Sequence, residues 1–231
     1  LPRTRGGGGT AAGVRASVPG WMLESMQLAR VIETSSVVAG TRSRTAKVAA
    51  LAQTLREASP AEVSVVTDYL AGRLPQRTVG VGWRGLRTLP EPAPAATLTV
   101  RDVDGALGRL STLTGAGSVA TRRAALADLF GRADAAEQRW LVGLITGELR
   151  QGAGDGVMLK AIAEAAEVPE AVVRRAVMLA GFAGPVAEVA MGAGAGQPAI
   201  DALARVGLEV GRPLRPMLAA SAPAVADAID G

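Results

Sequence analysis

The sequence predicts an all-α fold that contains an internal pseudo-twofold repeat. Apolar residues recur at spacings of three and four along most of the chain, as they do along an amphipathic helix. Hydrophobic residues make up 48% of the 231 residues, which is enough for a sizeable core. The alternation of apolar and polar residues that is typical of a strand rises above background only at Leu98–Val100. We therefore expect helices throughout, in a domain that extends over residues 21–210.

The helices predicted from this spacing run over residues 22–37, 43–57, 60–72, 102–113, 118–131, 135–147, 156–167, 169–181 and 184–191. Asp102 and Ser118 are the N-cap residues expected for two of them. Ser59–Glu62 and Asp134–Glu137 have the spacing of capping boxes, in which side chains satisfy free N–H groups at a helix start. Leu89–Pro94 is proline-rich, which indicates an extended linker between the two halves of the repeat.

The repeat appears when the sequence is shifted by 75 residues. Its two units cover about 43–86 and 118–160, and each ends a helix at a glycine-rich turn. Besides several alanines, the shift superimposes Glu62 on Glu137, Gly72 on Gly147, and Gln76 on Gln151. We expect each unit to begin the same helix and to end it at the same kind of turn.

The two turns, residues 72–82 and 147–156, are the candidate binding elements, here named the first turn and the second turn. Glycine lets backbone N–H groups approach an anion closely, and the helix predicted after the second turn directs its positive end to the same place. Arginines flank both turns, at Arg73, Arg77 and Arg150. The alternative is that the glycines only terminate helices in a left-handed conformation.

Composition favours an anionic partner. The net charge is +4, and arginine supplies 23 of the 25 cationic residues, so the charge lies in groups that bind phosphate bidentately. Aromatic residues are only 3% of the chain, so platforms for stacking single-stranded bases are nearly absent. Two turns related by a pseudo-dyad suit duplex nucleic acid, which has the same symmetry and a ladder of phosphates.

Several classes of chemistry are excluded. The chain has no cysteine and no histidine, which rules out disulfides, thiol catalysis and imidazole bases. Gly80–Gly85 matches a dinucleotide fingerprint, but no strand precedes it. Neither lysine, Lys47 or Lys160, stands in a phosphate-loop motif. The sequence therefore indicates a binding module and no active site.

Membrane insertion is not expected. The apolar tract Ala176–Ala195 is broken by Pro185 and charged by Glu188, so it indicates a buried helical hairpin. Leu1–Gly20 lacks apolar periodicity and is predicted to be a disordered leader. We expect a monomer in the cytoplasm, associated with the nucleoid.

A set of short motifs, taken in the order in which they occur along the chain, resembles the N-terminal DNA-binding domain of ATP-dependent DNA ligases, most closely those of actinobacteria. The motifs are Leu28–Glu33, Ser43–Lys47, Tyr69–Pro75, Gly80–Gly82, Thr114–Ser118, Gly147–Gly152 and Gly211–Ala219. The resemblance covers about residues 22–219. It implies an all-helical domain that grips nicked duplex DNA through paired turns, in support of nick sealing in replication, repair and recombination.

The resemblance also implies particular contact residues. First-turn contacts fall at Gln76, Arg77, Gly80 and Gly82, and second-turn contacts fall at Arg150, Gly152, Gly154 and Gly156. Arg44, Lys47, Ser118 and Arg122 are further candidates, because hydroxyls and cations begin the helices that contain them.

The resemblance further implies that residues 211–231 begin a nucleotidyltransferase domain whose catalytic lysine the chain lacks. Ala228 stands where the lysine of the family's Lys-x-Asp-Gly motif would have to precede Asp230 and Gly231. The full-length enzyme would use ATP and Mg²⁺, whereas this chain alone would need no cofactor and would not seal nicks. The rival hypothesis is a helical scaffold that binds another protein and no nucleic acid.

Overall fold

The computed structural model of the chain describes residues 25–149, 151–212 and 214–215. Within these ranges the fold is all-α, as predicted. Its ten α-helices are α1 (Leu28–Gly40), α2 (Arg44–Glu57), α3 (Val63–Leu70), α4 (Val100–Thr112), α5 (Ser118–Arg132), α6 (Ala135–Thr146), α7 (Asp155–Ala165), α8 (Glu170–Ala180), α9 (Ala183–Ala193) and α10 (Gln197–Ala204). A 3-10 helix covers Trp83–Leu86.

One continuous apolar core joins the helices of both halves of the chain. Leu51 of α2, Tyr69 of α3 and Leu141 of α6 are fully buried in it. Burial of a leucine of this kind contributes about 1.5–3 kcal/mol. Because α2 packs along α7 and α3 along α9, the first half is held directly against the second.

The second capping box forms as predicted. The Asp134 carboxylate accepts hydrogen bonds of 2.8 Å from the N–H groups of Ala136 and Glu137, while the Glu137 carboxylate accepts one of 2.9 Å from the Asp134 N–H. The helix it begins, α6, ends at Gly147, whose left-handed φ of 72° terminates it. This part of the second unit follows directly from its sequence.

The first capping box does not form, and the helix predicted over 60–72 begins only at Val63. The Ser59 hydroxyl donates to a Glu62 carboxylate oxygen at 2.8 Å instead of accepting from the Glu62 N–H. The same carboxylate accepts hydrogen bonds from the Ser25 hydroxyl and the Met26 N–H. The Glu62 carboxylate therefore anchors the residues before α1, and although Glu62 is the N-cap residue of α3, its side chain makes no capping bond.

Two predicted N-caps are displaced along the chain. Thr99 caps α4 and forms a capping box with Asp102, so Asp102 lies at the third helical position and is not the N-cap. Ser118 is the first residue of α5, after an N-cap at Gly117 with a left-handed φ of 82°. The strand-like stretch Leu98–Val100 supplies only one antiparallel bridge, between Thr99 and Gln27, because Val100 already begins α4.

Other helix boundaries also differ. The helix predicted over 22–37 begins at Leu28 and continues to Gly40. Helix α10 (Gln197–Ala204) was not predicted, since eight residues give little periodicity. The predicted hairpin is confirmed as α8 and α9, joined at Gly181 with φ 79°. Over the described ranges, no helix has the length and apolar character needed to cross a membrane.

The two turns share backbone features in the register of the repeat. Gly72 and Gly147 have φ of 69° and 72°, and Arg77 and Gly152, again 75 residues apart, have φ of 61° and 66°. The overall pseudo-twofold relation stays a prediction. The predicted leader, 1–20, lies outside the described residues, as does most of the segment 211–231.

Candidate nucleic-acid interface

The N-terminal end of α2 lies against the second turn. Lys47 Nζ donates a hydrogen bond of 3.2 Å to the Gly152 carbonyl. A Cβ atom placed on Gly156 would lie 3.0 Å from a terminal nitrogen of Arg44. Together with the exposed Gly154 between them, these residues form what we call the second-turn cluster: Arg44, Lys47, Gly152, Gly154 and Gly156.

The glycines of the second-turn cluster differ in backbone conformation and in the space around them. Gly152 has a left-handed φ of 66°, and a Cβ atom there would overlap Lys47 Nζ. Gly154 is the N-cap of α7 in an ordinary conformation, and no described atom lies within 4 Å of a Cβ placed on it. Since the first N–H groups of a helix lack partners within the helix, the second-turn cluster combines free amides, the positive helix end and two cations.

A similar arrangement surrounds the first turn. Gly80, with φ 64°, lies against the guanidinium of Arg122, whose nearest atoms would be 3.1–3.3 Å from a Cβ at that position. Arg122 is held there because it donates a 2.7 Å hydrogen bond to the Leu113 carbonyl. A groove of about 640 Å³ adjoins these residues. The cluster that lines it, the first-turn cluster, comprises Gly80, Gly82, Arg84, Arg122 and Arg123.

The contacts between helices and turns are reciprocal. Helix α2, in the first half of the chain, supplies the cations at the second turn, whereas α5, in the second half, supplies those at the first turn. Lys47 therefore meets Gly152, Arg44 meets Gly156 and Arg122 meets Gly80, although more than 40 residues separate the partners in each case. Sequence reasoning selected these residues but did not pair them in this way.

Three predicted contact residues make contacts outside the two clusters, and a fourth is not among the described residues. Gln76 is half-buried, and its amide donates a 2.7 Å hydrogen bond to Asp104. The Arg77 guanidinium lies over the Phe182 ring, 5.7 Å from its centroid. Ser118 is half-buried and makes no side-chain capping bond. Arg150 lies outside the described residues.

Two residues within the second turn were missed as functional candidates. Gln151, which the repeat marked only as a match to Gln76, is buried, and both its amide oxygen and its amide nitrogen are hydrogen-bonded. Asp155 begins α7 and forms ion pairs with Arg73, at 3.8 Å, and with Arg215. Asp155 thus connects the first turn to the last described residues, a role that its position between two glycines could not indicate.

A second concave region lies beside the first turn and contains a perturbed carboxyl group. This cavity, of about 660 Å³, is lined by Asp68, Arg73, Arg77 and Phe182 among others. Burial raises the pKa of Asp68 to about 6, although the Arg73 guanidinium 3.8 Å away favours the charged form. Throughout the described ranges, no group of acidic side chains is arranged to hold a metal ion. Backbone amides and arginines, the groups found in the first-turn and second-turn clusters, are groups that can bind an anion.

Comparison with known proteins identifies one family and a group of similar proteins. Residues 84–163 match the family described as "DNA ligase N terminus". A protein of Nocardioides sp. named "Probable DNA ligase" is 51% identical over 207 residues, which are 87% of this chain and 40% of that protein. Proteins with the same name from Beutenbergia cavernae and Streptomyces griseus are 52% and 51% identical, over 88% and 89% of this chain and 40% and 39% of their own lengths.

The chain thus spans about two fifths of the length of the relatives it matches. The matched family includes α5 and α6, the whole described part of the second turn and most of α7. Residues 84–163 therefore belong to the DNA ligase N-terminal family, in a chain that shares about half of its residues with actinobacterial proteins named probable DNA ligases.

Proposed function

We propose that this chain is the DNA-binding module of an ATP-dependent DNA ligase and grips duplex DNA through its phosphates. The observation that carries the proposal is the reciprocal placement of cations and glycine turns. Lys47 and Arg44 from α2 meet the second turn, and Arg122 from α5 meets the first. Each turn thereby gains the positive groups that a phosphate needs, while its glycines leave the backbone accessible.

The arrangement favours phosphate contacts over the reading of base sequence. Amides at a helix N-terminus and arginines bind phosphate oxygens, which carry no direct sequence information. We therefore propose binding with little sequence preference, to a nicked duplex, by a monomer of this chain.

The remaining aspects of the proposal concern the whole enzyme. ATP and Mg²⁺ would serve the catalytic part of a full-length ligase, and this chain alone would not seal nicks. Nick sealing in replication, repair and recombination, in the cytoplasm at the nucleoid, is the physiological setting that the family suggests.

Fluorescence titration of two unrelated duplexes, each intact and nicked, tests the proposal at two or more salt concentrations. We expect similar affinities for both sequences and a steep loss of affinity with salt, about 0.9 log units per log of salt for each neutralised phosphate. Absence of binding at low salt, or affinity independent of salt, would contradict it.

The design includes a matched pair of variants on one helix. Arg44→Ala removes a cation of the second-turn cluster, whereas Arg56→Ala removes one from the last turn of α2, about 18 Å further along the helix axis. Arg56 donates to the Glu164 carbonyl at 2.8 Å, away from both turns. We expect Arg44→Ala to reduce the salt slope by about one unit and Arg56→Ala to leave it unchanged. Equal slopes for the two variants would exclude the second-turn cluster as the phosphate site.

A further inference from the structure

Gln151 is a buried residue within the second turn. Its side chain is 6% exposed, and the residue that follows it is Gly152, whose left-handed backbone turns the chain towards Lys47. A buried amide needs partners for both its oxygen and its nitrogen, because an unpaired buried polar group is costly. Gln151 has both.

The partners of Gln151 come from separate elements of the fold. The amide oxygen accepts a 2.6 Å hydrogen bond from the Ser35 hydroxyl of α1, and the amide nitrogen donates one of 3.0 Å to the Tyr69 carbonyl of α3. Ser35 in turn accepts a 3.3 Å hydrogen bond from the Trp140 indole of α6. The Tyr69 and Trp140 rings pack edge to face, with centroids 5.7 Å apart, beside this network.

The network joins the second turn to the first. Tyr69 lies three residues before Gly72, where a Cβ atom would be 3.1 Å from the Leu149 carbonyl, so the two turns approach each other closely here. A hydrogen bond fixes a direction as well as a distance, whereas apolar packing at the same place would allow the turn to slide. Gln151 is the one residue of the described second turn whose side chain is both buried and hydrogen-bonded to other helices.

We infer that Gln151 is a positioning residue, which holds the amides of residues 152–156 in the orientation that binds phosphate. The inference rests on the proposed function, because the ligand of those amides is the DNA backbone. Gln151 touches no phosphate in this arrangement. It acts by fixing the backbone conformation of Gly152 and the residues that follow.

Gln151→Met tests the inference, because methionine has a similar volume and makes neither hydrogen bond. Gln138→Met is the matched control. Gln138 is 7% exposed and donates to two backbone carbonyls, of Phe130 at 2.8 Å and Pro90 at 3.2 Å, but has no bond to either turn. Both variants should lower the melting temperature, whereas only Gln151→Met should weaken duplex binding, by about tenfold or more. Equal affinities for the two variants would overturn the inference.

Gln151→Glu adds a readout that a purely structural role would not move. The neutral carboxylic acid can still donate a hydrogen bond to the Tyr69 carbonyl, but the carboxylate cannot, and burial favours the neutral form. The charged groups at this turn are Lys47 of α2, which donates to the Gly152 carbonyl, the exposed Glu148, and Asp155, which is paired with Arg73 and Arg215. We expect the affinity of this variant, relative to the parent at each pH, to fall at least several-fold between pH 5.5 and pH 8. A pH-independent ratio would refute the positioning role.

Hydrogen exchange separates failure of this inference from failure of the proposed function. Amide exchange of Val157 and Met158, whose N–H groups donate to the Gly154 carbonyl of the second turn at 2.8 and 3.1 Å, should accelerate in Gln151→Met and not in Gln138→Met, whether or not DNA binds. A parent chain that does not bind duplex would refute the proposed function, and the exchange result would still decide whether Gln151 fixes the turn. A parent that binds, with unchanged exchange in Gln151→Met, would refute only the role of Gln151.

Discussion

Gly154→Ala and Gly152→Ala add the same methyl group to the second turn, but we expect the first to weaken duplex binding and the second to lower stability. Gly154 has φ −60° and ψ 161°, which alanine adopts without strain, and no described atom lies within 4 Å of the added carbon. Loss of glycine at an N-cap costs less than about 1 kcal/mol, and the reduced entropy of the unfolded chain offsets about 0.4–1 kcal/mol. The melting temperature of Gly154→Ala should therefore change by no more than about 2–4 °C.

The methyl group of Gly154→Ala would nevertheless lie on the exposed side of the turn, where a phosphate must approach the amides of α7. A hydrogen bond to a charged group contributes about 1.5–3 kcal/mol. Loss of one such bond should weaken duplex binding by roughly ten- to hundredfold.

Gly152→Ala should mainly affect folding. Its φ of 66° costs a residue with a side chain about 1–2 kcal/mol, and the methyl group would displace Lys47 from the Gly152 carbonyl. With the lost hydrogen bond, the free energy of unfolding should fall by about 2 kcal/mol, which corresponds to a decrease of about 4–8 °C in melting temperature.

Duplex titration and thermal denaturation of both variants decide the matter, with Gly192→Ala as a control for the added methyl group. Gly192 lies in α9, and no described atom outside the helix's own backbone is within 4 Å of the position that the methyl carbon would take. This control should retain parental affinity and gain about 0.5–1 kcal/mol in stability. If Gly154→Ala binds duplex with parental affinity, the reasoning is refuted, because that result would show that no phosphate approaches the turn at this residue.

Further predictions concern charge and chemistry. Arg77→Ala should reduce the salt slope of duplex binding by about one unit and, through the lost contact with Phe182, lower stability by about 0.5–1 kcal/mol; a parental slope would remove Arg77 from the interface. Since the folded-state pKa of Asp68 is raised to about 6, the native state retains this proton longer than the unfolded state, and stability should fall as pH rises from about 4 to about 6. Asp68→Asn should abolish this part of the pH dependence in urea titrations, and identical profiles would contradict the assignment. Intact-mass measurement after incubation with ATP and Mg²⁺ should show no added AMP, because Lys47 donates to a carbonyl and Lys160 is paired with Glu170; a stable AMP adduct would contradict the expectation that this chain is inactive alone.

The helical class and most helices could be predicted because they depend on local periodicity. Helix α6 shows this best, since Asp134, Glu137 and Gly147 carry its start and end within one stretch of sequence. The same local rule failed at Ser59–Glu62, because the Glu62 carboxylate is bonded to residues before α1. A capping motif specifies a helix start only when no distant group competes for its side chains.

The sequence by itself determined most of the helices, the excess of arginine and the two glycine turns, since composition and spacing are properties of the chain alone. Only the tertiary structure decided which cation meets which turn. Lys47 reaches Gly152 because α2 packs along α7. The same turn is held through Gln151, whose side-chain amide is hydrogen-bonded to Ser35 of α1 and Tyr69 of α3. These pairings join residues about 80–120 positions apart, and no local pattern encodes them, because they arise from the burial of apolar faces far from the turn itself.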